Sequence, residues 1–141
     1  LDVREELSVQ LKIQEAKLTE LNRIFDEKIT SIDERDAEHT YNTSRAMFLS
    51  QSAESNFENA LSWAVRSLLY SFKTTNTDSS NDWIEIIRED ILTKELKKKR
   101  CDEAYMEAIN IDLDDLKDLK NNDVDKLIGE VKATLYKIIY A

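Results

Sequence analysis

Residues 53–72 read AESNFENALSWAVRSLLYSF, and no other stretch constrains the fold as tightly. Ala53, Phe57, Ala60, Leu61, Ala64, Leu68 and Phe72 recur at helical spacing on one face, while Trp63, Val65, Leu69 and Tyr70 occupy neighbouring faces. A helix apolar that far round its axis belongs in the centre of a bundle, because a surface helix carries only one apolar stripe. Alanines at 53, 60 and 64 leave room for a second helix to approach closely.

Downstream, Thr74-Thr75-Asn76-Thr77-Asp78-Ser79-Ser80-Asn81 is a run of short polar side chains that bond to nearby backbone and compete with helical pairing. It reads as a loop. Asp82 then reads as an N-cap with Glu85 three residues on, and Ile84, Ile87 and Ile91 open a new amphipathic face. The spacing carries that helix past Leu92 and Leu96, through Lys97-Lys98-Lys99-Arg100 with room for a kink, to Cys101, Tyr105, Ala108 and Ile109. Residues 112–120 follow as a short helix or helical turn ended by Asn121-Asn122. A last helix capped by Asp123 has Val124, Leu127, Ile128, Val131, Leu135, Ile138 and Ile139 on one side.

Upstream, Leu7, Leu11, Leu18, Leu21, Phe25 and Ile32 fall on a 3,4 spacing whose gaps are filled by Gln14 and Lys28. Such a seam suits the outer helix of a bundle or a coiled-coil strand; the two polar gaps favour the bundle. Between Asp33 and Tyr41 the apolar rhythm lapses, and the chain either turns there or runs straight through. The expected fold is all-α: a single helical domain over residues 1–141, a bundle of about four principal helices whose N-terminal helix has coiled-coil character.

Composition agrees. The chain of 141 residues has no proline, one glycine, 41% hydrophobic and 35% charged residues, which leaves little turn punctuation for strand-rich folds. No apolar run approaches the roughly 20 residues of a membrane-spanning helix. A net charge of −9 repels phosphate backbones, so nucleic acid is not the expected partner. The chain opens at Leu1 without a charged and then apolar leader, so any signal peptide or lipidated cysteine is expected upstream.

Chemistry finds little to stand on, and neither an enzyme nor a cofactor is expected. The only histidine, His39, lies in a polar stretch and has no serine positioned by the sequence to be its nucleophile. Asp36 and His39 have one unit of a di-metal spacing, but a second is missing. Counting a calcium loop from Asp112 puts Leu116 at the fifth position and Lys117 where the turning glycine belongs. The lone cysteine, Cys101, cannot form an internal disulfide, and its spacing to Tyr105 and Ala108 places it on an apolar face. A protein partner is the remaining expectation. Candidate contacts are the loop residues Thr75, Asn76, Asp78 and Asn81, the adjoining Trp83, and the basic run Lys97, Lys98, Lys99 and Arg100. For the basic run the plainer reading is a solvated face, and for Trp83 a core or stapling role.

The opening from Arg4-Glu5-Glu6-Leu7 to Leu21, the loop at 74–81 and the amphipathic close from Val124 to Tyr140 resemble the small helical outer-surface lipoproteins of Borrelia spirochaetes. Within these the chain looks most like the factor H-binding group of relapsing-fever species. The resemblance implies lipid anchoring at the bacterial outer surface and capture of the host complement regulator factor H for immune evasion. It transfers no residue-level role. The competing expectation is a cytoplasmic scaffold module, in which the seam from Leu7 to Ile32 pairs with the same seam on another chain.

Overall fold

The computed structural model of the chain describes residues 2–75 and 77–141, and the side chains of residues 26–34 lie outside that description. Every regular element among the described residues is helical. They are α1 (Val3–Ala53), α2 (Phe57–Lys73), α3 (Ser80–Glu85), α4 (Glu103–Lys117) and α5 (Asn122–Ile139), with a π-helical turn over Ile86–Ile91 directly after α3. The chain divides into two compact units, Leu1–Asp36 and Ala37–Ala141. The first is the N-terminal arm of α1; the second holds the hydrophobic core.

Helix α2 is the centre of the second unit and packs against α3, the π-turn and α4. Ala60, Leu61, Ala64, Leu68 and Leu69 are all essentially inaccessible, and at 100° per residue the buried positions of α2 sweep roughly 200° of its circumference. The apolar faces of α4 (Ile109, Leu113, Leu116) and α5 (Val124, Leu127, Ile128, Val131, Leu135) close over this core, and α5 packs on α4. The predicted face of Ile84, Ile87 and Ile91 is buried as well.

The first turn of chain comes later than the lapse in periodicity suggests. Residues 33–41 stay helical, and α1 ends only at Ala53. There Ser55 adopts a left-handed φ of 57°, and the Asn56 N–H donates to the Gln51 carbonyl at 2.9 Å, closing the helix end in a Schellman-type turn. Asn56 then caps α2 by accepting from the Asn59 N–H. Ala53 therefore ends α1 and does not belong to the α2 face.

Other boundaries differ from the sequence reading as well. Helix α3 starts at Ser80, so Asp82 sits inside its first turn and is not the cap. The cause lies across the loop: the Ser71 and Ser80 hydroxyls are 2.8 Å apart and buried, and Thr77 Oγ1 donates to the Ser71 carbonyl at 3.3 Å, pinning the chain before Asp82. The helix expected to run from Ile84 to Ile109 is two helices. The π-turn ends at Ile91, and Asp102 starts α4 by accepting from the Tyr105 N–H at 2.8 Å. Residues 112–117 extend α4, and Asn121, not Asp123, caps α5 through the Asp123 and Val124 N–H groups.

A buried carboxylate explains the break before α4. Glu58, 2% exposed on α2, accepts the Lys97 N–H at 3.0 Å, and the Glu58 carbonyl accepts the Tyr105 hydroxyl at 2.7 Å. One residue thus holds both the incoming loop and the first turn of α4. Elsewhere Arg88 Nε reaches Glu130 at 2.7 Å, tying the π-turn to α5, and this partner raises the Arg88 pKa further above its ordinary value.

Asp112 on α4 is 6% exposed and faces Arg66 of α2 at 3.5 Å. Burial pushes its carboxyl pKa above the ordinary range and Asp115 adds to the rise, whereas the attraction of Arg66, and more weakly Lys73, offsets only part of it. The folded state therefore holds this proton more tightly than the unfolded chain. The associated stability is complete below the unfolded value of about 3.9 and is lost as pH rises through the folded value. Asp112→Asn should remove that slope: in urea titrations from pH 3.5 to 7, the wild type should lose stability relative to the variant as pH rises. A second expectation concerns Gly129, exposed within α5, where an added Cβ meets nothing within 4 Å. Gly129→Ala should stabilise by about 0.5–1 kcal/mol, read as a higher thermal midpoint.

Candidate functional site

The residues with nucleophilic or metal-binding chemistry are scattered or tied up in packing. His39 and Ser44 both lie on α1, five residues apart and so roughly 140° apart around its axis, with His39 exposed and Ser44 buried. Burial pushes the Cys101 thiol up, with Glu58 and Asp102 adding to the rise, so the sulfur is protonated at neutral pH. The Tyr105 phenol is raised by burial in the same way, and its proton is committed to the Glu58 carbonyl. Among the described residues no cluster of three His, Cys, Asp or Glu side chains is placed to hold a metal ion.

The proposed contact residues separate into two groups. Thr75, Asp78 and Asn81 are exposed around the short 3-10 turn Thr77–Ser79 and the start of α3; Asn76 lies outside the described residues. Trp83 is 5% exposed, and its Nε1–H donates to the Tyr41 hydroxyl at 3.1 Å. Phe48 packs edge-on against the same ring at 5.2 Å, so Trp83 fastens α3 to the second half of α1. Lys97, Lys98, Lys99 and Arg100 are exposed, but on a tight turn between helices and not on a helix face. No described hydrogen bond or ion pair joins this turn to the loop residues.

A stripe of exposed apolar side chains lies on the arm. Leu7, Leu11, Leu18, Leu21 and Phe25 are between 54% and 64% exposed, and Gln14 between them is exposed too. Lys28 and Ile32, the remaining seam positions, fall outside the described side chains. Residues 3–36 of the first unit form a single helix, along which the described seam side chains are exposed. The 3,4 spacing keeps the five side chains within a narrow stripe of roughly 80°.

A second line of apolar residues, which the sequence reading of a single seam missed, runs along the other side of the arm. Val9, Ile13, Ala16 and Ile24 are all exposed, and their mean direction is roughly 140° or more from that of the first stripe. A shallow groove on this side is lined by Ile13, Ala16, Lys17, Glu20, Leu21 and Ile24. Ile13, Ala16, Lys17 and Glu20 have the i, i+3, i+4, i+7 relation of the four residues that form a hole for a knob from a facing helix, and Lys17, Glu20, Leu21 and Ile24 repeat it one step on. The available signal in the sequence was the 4,3,4 spacing of Ile13, Lys17, Glu20 and Ile24, masked by two charges in its middle.

Within the described residues, no helix is long and apolar enough to cross a membrane. Comparison with protein-family models, curated proteins and solved structures gives no match, so the surfaces themselves are the guide to function.

Proposed function

We propose that this chain is a non-enzymatic protein-binding module that assembles through its arm, the seam from Leu7 to Ile32 pairing as a coiled coil with the same seam on another chain. The observation that carries the reading is the exposure of Leu7, Leu11, Leu18, Leu21 and Phe25 on one face of a continuous helix. Large apolar patches held in water mark interaction surfaces. Pairing removes them from solvent at about 25 cal/mol per Å² of apolar area, and knobs-into-holes packing uses this 3,4 repeat. Gln14 and Lys28 inside the seam cost stability, and polar residues at such positions set register.

A second reading rests on the Borrelia resemblance: capture of a host complement regulator such as factor H at a lipid-anchored outer surface. It is favoured by one feature, the exposed cations Lys97 to Arg100 on a chain of net charge −9. They offer an acidic partner surface a local contact, with Thr75, Asp78 and Asn81 as further contacts on the exposed loop.

Sedimentation equilibrium tests the first reading. The wild type should sediment above monomer mass, and Leu18→Glu, which puts a charge in the seam, should return it to monomer while the core helices keep their circular dichroism. A wild type that stays monomeric at high micromolar concentration would sink seam pairing. For the second reading, the immobilised chain should retain factor H from human serum at physiological salt, and replacing Asp78 and Asn81 together should weaken that retention; a chain that retains no complement regulator argues against it.

A further inference from the structure

We propose that the groove on the far side of the arm is a second self-association face, which takes the same face of another copy of this chain in antiparallel orientation. The argument starts from the four residues at 4,3,4 spacing, Ile13, Lys17, Glu20 and Ile24, which form a short seam of their own. Ile13 is 50% and Ile24 38% exposed, and Lys17 and Glu20 between them are exposed.

This seam is palindromic in chemistry. In an antiparallel pair centred between Leu18 and Thr19, Ile13 meets Ile24 of the other copy and Lys17 meets Glu20, and the two-fold axis repeats each contact. The result is two apolar layers enclosing two opposite-charge layers. A parallel pair in register would set Lys17 against Lys17 and Glu20 against Glu20, which like-charge repulsion disfavours. Charge complementarity therefore selects both the occupant and its direction.

The local geometry leaves these groups suited to the task. Glu20 is bonded along its own helix to Arg23, at 2.5 Å through one oxygen and 3.1 Å through the other, and not to Lys17. That fork orients the carboxylate, whose remaining lone pairs are open to the ammonium of a neighbour. Ala16 beside Lys17 adds no bulk, so the holes are shallow and a facing backbone can approach.

Four layers make a small interface, well under the roughly 1,000 Å² of a stable independent complex. The contact is weak by itself and acts on arms brought together by other means. It does not require the first seam to pair: the two share Leu21 at their border, but their centres lie roughly 110° apart around the helix; where the first seam pairs arms, the second face joins pairs into larger assemblies.

Analytical ultracentrifugation over a concentration series, at low and at physiological salt, with Lys17→Glu, Glu20→Lys and the double reversal, tests the proposal. The wild type should show a concentration-dependent step above its base species, dimer to tetramer if the first seam pairs, monomer to dimer in a Leu18→Glu background. Each single reversal should weaken that step about tenfold, and the double reversal should restore it, because opposite charges again face each other. The step should also weaken as salt rises. No such step at millimolar concentration, or single reversals that leave it unchanged, would overturn the second face. A wild type with no base dimer that still shows the charge-dependent step would overturn only the seam.

Discussion

Helix α2 buries side chains over more than half of its circumference, and that requirement organises everything from residue 37 onward. Leu61, Leu68 and Leu69 cannot all be covered by a single neighbour, because a helix contact shields only one stripe. Coverage has to come from several directions, and α3 with its π-turn and α4 supply it. Helix α5 then finishes the core by packing on α4. Each further element is thus placed by the apolar surface that the one before leaves open.

Polar groups decide the corners. Glu58 is inaccessible, yet it is satisfied, because the Lys97 N–H reaches its carboxylate and its own carbonyl receives the Tyr105 hydroxyl. A buried carboxylate without such partners would be costly, and a loop N–H without one would be as well. The Ser71–Ser80 pair does the same for the approach to α3, and the Trp83–Tyr41 bond for its contact with α1. These bonds span 9, 39, 42 and 47 residues in sequence. They exist only because the apolar packing has already brought the helices together.

The arm obeys the opposite rule. Its described apolar side chains are exposed, and they form two lines facing different ways. The first line is long, leucine-rich and regular. The second is short and carries its charges at the centre, suited to a partner that reverses their order.

The 3.6-residue rhythm was enough to establish an all-helical chain, the buried α2, the apolar faces of Ile84–Ile91 and Val124–Leu135, and the seam of the arm, because each of these depends on local spacing. Helix ends were less legible. Ser55-Asn56, Ser80 and Asp102 are ordinary cap and turn residues that recur throughout so polar a chain, and a distant partner chose among them: Ser71 for Ser80, and Glu58 for the loop ahead of Asp102. Trp83 shows the same limit, since its place beside a polar loop suits a surface contact as well as a core one, and only Tyr41 and Phe48, some 40 residues away, make it core. What the sequence determined by itself is which faces must be buried, a property of periodicity. What only the tertiary structure decided is where the helices end and which side chains hold those ends, because the bonds that fix them join residues far apart in sequence.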